Sequence, residues 1–171
     1  MKKKLLLTAT AVVLAMSFMA GCGGSTENEK ATTTAATTNA ASKYYFEANG
    51  AKVNIGDNGE AAIAALGEAN STFTATSCAF EGEDHMYMYD AFQLTLSTVN
   101  GEEVVTAISV TNDMISTPEG VKIGSTNDDV TEAMGVESKE DGNYQFTDGH
   151  TALAIVVKDD AVISITYSYV E

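Results

Sequence analysis

The sequence predicts an α+β domain of two similar units, each a short helix packed on an antiparallel β-meander, so that helices and strands form a helix-on-sheet layer. Two gapless internal matches support this fold class. Residues 53–67 match residues 121–135 at a spacing of 68, and residues 87–111 match residues 144–168 at a spacing of 57. Within the second match apolar and polar residues alternate, as in strands buried on one face.

The first match predicts a short strand, a turn and one helix in each unit. VNIGDNGEAAIAALG and VKIGSTNDDVTEAMG share Val, Ile, Gly, Ala and Gly, and both carry Asp, Asn, Ser or Thr where a helix N-cap is needed. The helices are expected to end at Gly67 and Gly135. A hairpin that turns at Asn49-Gly50 leads in. Because neither helix is long enough to stand alone, each should bury its apolar stripe on the sheet.

The second match predicts three antiparallel strands in each unit. The aligned pairs are Tyr87 with Tyr144, Leu96 with Leu153, Val105 with Val162 and Ile108 with Ile165. The expected turns lie at Asp90-Ala91, Asn100-Gly101, Asp148-Gly149 and Asp159-Asp160. These elements give a domain over residues 43–171, with unit 1 at about 53–111, a linker at 112–120 and unit 2 at about 121–168.

Strand alternation also assigns the two faces of the predicted sheet. Bulky residues share one side, which should face the helices, and this side includes the aromatic residues of the first strands, mostly as core. Met86 and Met88 then fall on the open side, among small Ser, Thr and Ala side chains. Exposed methionine on a smooth sheet suits adaptable apolar contact, although plain surface methionine is the simpler reading.

Residues 1–21 have the layout of an export signal. Lys2, Lys3 and Lys4 precede an apolar run, and small residues then precede Cys22. Small residues before a cysteine resemble the lipobox of bacterial lipoproteins, and this resemblance implies that the Cys22 thiol is lipidated and carries acyl chains such as palmitate. The alternative is an ordinary secretory signal with a chance cysteine.

Residues 22–42 are expected to form a disordered tether behind the lipidated Cys22, because residues 23–42 contain no large apolar residue. The predicted location is therefore extracytoplasmic, with the domain anchored by lipid to the cell membrane of a bacterium. After lipidation Cys78 is the one remaining cysteine, which excludes a disulfide within the chain. A free cysteine in an exported protein is most often buried and inert.

The chain is strongly acidic, with 24 Asp and Glu against 9 Lys and no Arg, and a formal net charge of −15. Loss of the three leader lysines makes this −18. Nucleic acid is excluded as a partner, because phosphate binding needs a cationic face. The charge suits cationic partners or loosely held divalent cations, but it also serves as a solubilising surface.

The segment SCAFEGEDH, residues 77–85, combines the one free cysteine with carboxylates and a histidine. The spacings of 68 and 57 differ by 11 residues, which places this segment in an insertion that unit 2 lacks. Insertions in repeat proteins often emerge on the binding face, so Phe80 is the expected apolar contact and the acids its polar rim. The candidate binding residues are Met86, Met88, Phe80, Glu81, Glu83, Asp84 and His85.

A short GxxxxxVxxxxG-type helix, with Ala62 at the Val position in the first unit, is followed by a meander and occurs twice in an exported domain. This arrangement resembles the tandem folds of the beta-lactamase inhibitor protein and of small BamE/SmpA-type lipoproteins. The chain is also similar to uncharacterised lipoproteins of Gram-positive anaerobes. The first resemblance covers most of 53–168 and implies a noncatalytic module that binds protein partners through sheet and loops. Those families commonly have two helices in each unit, where this sequence predicts one.

The leading hypothesis is therefore a membrane-anchored extracytoplasmic lipoprotein of the cell envelope, which binds a protein or envelope component without catalysis. The sequence contains no GxSxG, HExxH, CxxC or Walker motif, so no catalytic residue, metal ligand or cofactor is predicted. One alternative is a metal-binding protein or metal-dependent enzyme that uses the Cys/His segment 78–85. Another is a structural envelope spacer with no specific ligand.

Overall fold

The computed structural model describes residues 42–171, which form two antiparallel sheets and two short helices. The elements are β1 Phe46–Ala48, β2 Ala51–Val53, α1 Gly59–Leu66, β3 Ser71–Thr76, β4 Glu81–Met88, β5 Phe92–Val99, β6 Glu102–Val110, α2 Asn127–Met134, β7 Asn143–Asp148, β8 Thr151–Lys158 and β9 Ala161–Tyr169. The predicted leader, the lipidation of Cys22 and all but the last residue of the predicted tether lie outside the described residues.

The predicted fold class is wrong, because the described chain is mostly β. Strands β1 and β2 form a sheet of their own, and the other seven join in one sheet in the order β3-β4-β5-β6-β9-β8-β7. The helices are short, with eight residues each. The two meanders are not separate helix-on-meander units either, since their last strands, β6 and β9, pair with each other and merge them edge to edge.

Three hairpin turns lie where the sequence predicts them, whereas Asp148 belongs to β7 and the β7–β8 turn is Gly149-His150. Asn49 and Gly50 link β1 to β2, Asn100 and Gly101 link β5 to β6, and the pair 159–160 links β8 to β9. All six residues have positive φ, the backbone region in which Asn, Asp and Gly are favoured and which type I′ turns require. The twist of such turns matches that of the paired strands, so these hairpins follow from local sequence alone.

Both helices begin at a side-chain cap. The Asn58 side chain accepts a hydrogen bond from Ala61 N at 3.0 Å, and Thr126 forms a capping box with Asp129. The bonds from the Thr126 backbone and side chain hold the pKa of the Asp129 carboxyl below its ordinary value. Asn58 and Asp129 therefore act in capping, as the sequence indicated, whereas Asp57 accepts hydrogen bonds from Asn54 in the preceding turn. The strand predicted over 121–123 is absent from the described residues, where Lys122 makes a single bridge to Ser116.

The centre of the large sheet repeats one backbone arrangement in its two halves. Strands β6 and β9 pair over Ala107–Val110 and Ile165–Ser168. The first half of each strand is paired instead with the turn before a helix: Gly56 N donates to Val105 O and Gly124 N donates to Val162 O, both at 2.8 Å. The spacings of 68 and 57 seen in the sequence thus connect positions with corresponding hydrogen bonds.

The register between the halves differs from the predicted one in the middle strands. Tyr87 pairs with Leu94, and Tyr144 pairs with Ile155, so β5 corresponds to β8 at a spacing of 61. Leu153 therefore corresponds to Phe92, and its predicted match to Leu96 is wrong. The reason is that the β5–β6 hairpin extends farther past its β-bulge than the β8–β9 hairpin does.

The core lies on one face of the large sheet, beneath β1, β2, α1 and α2. Its fully buried members include Phe46, Leu94, Ile108, Leu153, Ile155, Ile165, Tyr144 and Tyr167. Tyr87, Tyr89 and Phe146 pack against this core, which confirms that the aromatic residues of the first strands are mostly core. Within residues 42–171, neither helix is long and apolar enough to cross a membrane.

Candidate functional site

The second face of the large sheet has small side chains at its centre. Strand pairing sets Met86 beside Thr95, and Thr95 beside Ala107. Since successive residues of a strand point to opposite faces, these residues lie away from their buried neighbours in the core. We call this surface the open face; it comprises Phe73, Met86, Met88, Gln93, Thr95, Ala107, Ser109, Thr166 and Ser168.

Three large apolar side chains meet at one corner of the open face. Phe73 of β3 is paired with Met86 of β4, and Met88 follows two residues along the same strand. Phe73 is 61% exposed, whereas both methionines are half-buried. We call Phe73, Met86 and Met88 the apolar corner. The register agrees with the position that the sequence predicts for the two methionines, while their role in binding stays a prediction.

The sequence pattern does not indicate Phe73 or the strand that contains it. The difference between the two spacings predicts only an insertion, or a lengthened connection, before Tyr87. The structure forms an extra strand, β3, from its middle part, and β3 has no counterpart beside β7 in the described residues. The run STFTAT could have revealed it, because Thr and Phe are enriched in strands.

The link between β3 and β4 is a tight turn of residues 77–80, and the carboxylates follow at the start of β4. Ser77 Oγ accepts hydrogen bonds from the backbone N–H groups of Ala79 and Phe80, and Ser77 N donates to Gly82 O at 3.0 Å. We call residues 77–84 the acidic tip. Its cysteine, Cys78, is free and exposed, contrary to the expectation that it is buried. Glu81 and Glu83 are exposed as well, which agrees with a polar rim.

Asp84 accepts a hydrogen bond from a buried side chain of the sheet. Ser97 Oγ donates to Asp84 Oδ1 at 2.6 Å and lies 2.7 Å from Thr106 Oγ1. Because each hydroxyl has one proton, Ser97 accepts from Thr106 if it donates to the carboxylate, and Thr95 O at 3.3 Å is the second, longer acceptor for the Thr106 proton. Ser97 and Thr106 are buried, and Thr106 is the extra residue of the β-bulge in β6. Asp84 therefore fastens the acidic tip to the sheet.

His85 points away from the apolar corner. It is paired with Leu96, a core residue, and its Nδ1 lies 2.6 Å from Glu103 Oε1. Both side chains are about two-fifths exposed, at 39% and 43%, so the pair is weakly stabilising at most. The structure therefore separates His85 from Met86 and Met88, with which the sequence grouped it.

Phe80 turns inward from the acidic tip. Its ring is half-buried and lies edge-on to Tyr169, with 6.1 Å between the centroids. His150 stacks on the same tyrosine at 5.0 Å, and its Nδ1 lies 3.0 Å from Val170 O. The contact reaches over β5 and β6 to the end of β9. Phe80 thus holds the tip in place, and the apolar contact predicted for it is made at least partly within the chain.

The predicted candidate residues do not form a metal site. No group of three or more His, Cys, Asp or Glu side chains in residues 42–171 could hold a metal ion, so Cys78, Glu83 and His85 do not converge on one. Burial raises the pKa of the Tyr89 hydroxyl, with a further contribution from Tyr87, but this group donates to Gly67 O beside the core. The shift therefore has a structural cause.

Two shallow cavities lie away from these residues. One, of about 360 Å³, is lined by residues 139–142 and 157–160 with Asn127. The other, of about 430 Å³, is lined by residues 47–50 and 114–118. Neither contains a candidate residue from the sequence, so the candidate site is a surface: the apolar corner with the acidic tip beside it. No family model, curated protein or solved structure matches this chain.

Proposed function

We propose that this protein is a membrane-anchored extracytoplasmic lipoprotein whose domain binds a protein or envelope component without catalysis. The apolar corner is the proposed centre of the binding surface. The observation that carries the proposal is the grouping of Phe73, Met86 and Met88 on adjacent strands, where Phe73 is 61% exposed.

The apolar corner has the composition of a contact surface. Aromatic residues and methionine are enriched in protein interfaces, and methionine adapts its shape to a partner. Met86 lies beside the small residue Thr95, which lies beside Ala107, so a partner can approach the sheet closely along the open face. A partner that covers the apolar corner removes its three side chains from water, which favours binding.

The acidic tip supplies the charged rim. Glu81 and Glu83 are exposed on the acidic tip, which precedes the apolar corner along β4, while Asp84 and Phe80 hold the tip on the sheet. A rigid rim costs less conformational entropy on binding than a mobile loop does. We therefore assign Glu81 and Glu83 to partner selection, and Asp84, His85 and Phe80 to positioning of the tip.

The test is partner recovery from detergent-solubilised envelopes of the producing bacterium with the tagged full-length chain. Met86→Asp with Met88→Asp, and separately Phe73→Asp, should lower recovery of the enriched partner at least tenfold, equal to about 1.4 kcal/mol. Met114→Asp is the matched control, since Met114 is 65% exposed outside the large sheet. It should leave recovery unchanged. Circular dichroism verifies that each variant is folded.

The other outcomes separate the alternatives. Equal recovery with the wild type and the three substitutions at the apolar corner would remove this surface as the binding site. If the wild type enriches no protein over empty beads, the structural spacer is favoured. Elemental analysis of the purified full-length protein tests the metal hypothesis, which requires bound metal that is lost on His85→Ala.

A further inference from the structure

The two edges of the large sheet differ in how they are covered. At the β7 edge, Lys43 N donates to Asp148 Oδ2 at 2.6 Å, and the rings of Tyr44 and Phe146 lie 5.7 Å apart. The segment before β1 thus lies against β7. At the other edge the sheet of described residues ends with β3, and five of its six residues are exposed.

The sequence of β3 has none of the usual protections of an edge strand. Natural edge strands are bulged, interrupted by proline or given charged side chains, since an open row of N–H and C=O groups attracts other strands. Residues 71–76, STFTAT, contain neither proline nor charge and pair with β4 over all six positions without a bulge. The outer side of β3 is therefore a regular template for one more strand.

The charge around β3 indicates what would cover it. Between Lys52 and Lys122 the chain has eleven acidic residues and no lysine or arginine. Carboxylates lie at both ends of the strand: Glu83 is paired with Thr76, and Asp90 accepts from Asn70 Nδ2 at 2.7 Å. A second copy of this chain would bring the same negative charges together, whereas a basic segment would neutralise them.

We propose that β3 accepts an extended segment of a basic protein partner as the eighth strand of the sheet, with lysine or arginine on the segment close to both ends of β3. This proposal rests on the proposed binding function and names the class of partner. Backbone hydrogen bonds to β3 supply a sequence-independent part of the affinity. Every second side chain of the segment lies on the same face as Phe73, and the position paired with Phe73 selects an apolar residue.

The experiment uses full-length protein in non-ionic detergent with labelled synthetic peptides as probes. The probes are the basic peptide KKTVTVTKK and its acidic counterpart EETVTVTEE. Two further forms of the basic peptide are methylated at alternate backbone nitrogens of the TVTVT segment, each form at one of the two alternating sets. Fluorescence anisotropy should show binding of the basic peptide that is at least tenfold tighter than that of the acidic one. One methylated form should bind at least tenfold more weakly than the parent, because one set of N–H groups faces β3.

Matched lysine substitutions on the two edges locate the peptide. Thr72→Lys with Thr74→Lys should weaken the basic peptide at least tenfold, since both positions are exposed on β3. Gln145→Lys with Thr147→Lys makes the same charge change at exposed positions of β7 and should leave binding unchanged. Failure of the basic peptide to bind, equal binding of the acidic peptide, or full binding of both methylated forms would overturn the proposal.

The proposal and the function on which it rests fail in different ways. If the apolar-corner substitutions abolish partner recovery from envelopes while the β3 lysines leave it intact, the binding function stands and strand addition is overturned. If the basic peptide binds β3 but no envelope protein is recovered, strand addition is supported and the proposed native function is overturned.

Discussion

At the scale of single residues, two buried tyrosines show opposite uses of a hydroxyl. Tyr144 Oη donates to Asn127 Oδ1 at 2.7 Å and accepts from Lys139 N at 3.1 Å. Tyr167 is equally buried, but its Oη has no hydrogen-bond partner among the described residues. A bonded hydroxyl stabilises a core modestly, whereas a buried hydroxyl without a partner costs free energy.

Tyrosine-to-phenylalanine substitution should therefore have opposite signs at the two positions. Tyr144→Phe removes two hydrogen bonds and should lower the free energy of unfolding by about 1–2 kcal/mol. Tyr167→Phe removes an unpartnered hydroxyl and should raise it by about 1 kcal/mol. Urea unfolding of the full chain at neutral pH measures both, and a loss of stability in Tyr167→Phe would contradict the account.

Tyr167 makes the free energy of unfolding depend on pH in the alkaline range. Burial raises the pKa of the Tyr167 hydroxyl well above its ordinary value of 10.0, and the negative charge of Glu119 raises it further. Above that ordinary value the unfolded chain loses this proton while the folded chain keeps it, so stability is lost as the pH rises beyond about 10. Tyr167→Phe should remove this part of the loss of stability at alkaline pH. An unchanged pH dependence of the free energy of unfolding above pH 10 would contradict this expectation.

At the scale of elements, the local parts of the fold could be predicted and the long-range parts could not. The turns at Asn49-Gly50 and Asn100-Gly101, and the caps Asn58 and Thr126, depend on a few neighbouring residues. The pairing of β6 with β9 joins strands that are more than fifty residues apart in the sequence. Alternation indicates which side of a strand is buried but not which strand lies beside it, and this is why the fold class was predicted wrongly.

The candidate site shows the same division. Alternation placed Met86 and Met88 opposite the core, because both positions are fixed by neighbours in their own strand. It did not reveal that Phe73 lies beside Met86, since this contact depends on the pairing of β3. It also assigned Phe80 to a partner, whereas the fold brings the ring to Tyr169, a residue at the far end of the chain.

The start of β7 depends on a close approach that only glycine allows. Gly142 has φ +63°, its carbonyl accepts from Val157 N at 2.8 Å, and a Cβ added to it would clash with Val157 O. Gly149, in the next turn, has φ +55° with open space around that position. Both glycines have a left-handed backbone, so the difference between them is the steric conflict that an added Cβ meets at Gly142.

Alanine at these two glycines should therefore separate strain from steric conflict. Gly149→Ala should cost about 1 kcal/mol, the usual cost of placing alanine at positive φ. Gly142→Ala should cost at least about 2 kcal/mol more, because β7 must move away from β8 to accept the methyl group. Thermal unfolding of the two variants under the same conditions checks this, and equal losses would show that the approach to Val157 is not rigid.

At the scale of the whole molecule, charge and anchoring have to be considered together. The formal charge of −15 would keep the chain away from anionic lipid headgroups, so the proposed residence at a membrane cannot depend on electrostatic attraction. The same charge attracts basic partners, and the stretch between Lys52 and Lys122, which contains the apolar corner and β3, has eleven acidic residues and no lysine. Under the proposed function, the lipid holds the domain at the membrane and the acidic half selects the partner.

The two cysteines of the chain allow the anchor to be tested with a matched control. Cys22→Ala should abolish incorporation of labelled palmitate and move the protein from the membrane fraction to the soluble fraction, because acyl chains supply the membrane affinity in this account. Cys78→Ala removes the other cysteine, which is exposed on the acidic tip, and should retain both the label and the membrane fraction. Since the acidic domain gains nothing from anionic headgroups, the Cys22→Ala protein should stay soluble even at low ionic strength. Palmitate retained after Cys22→Ala, or lost after Cys78→Ala, would show that the anchor lies elsewhere and would remove the basis for placing the binding surface beside a membrane.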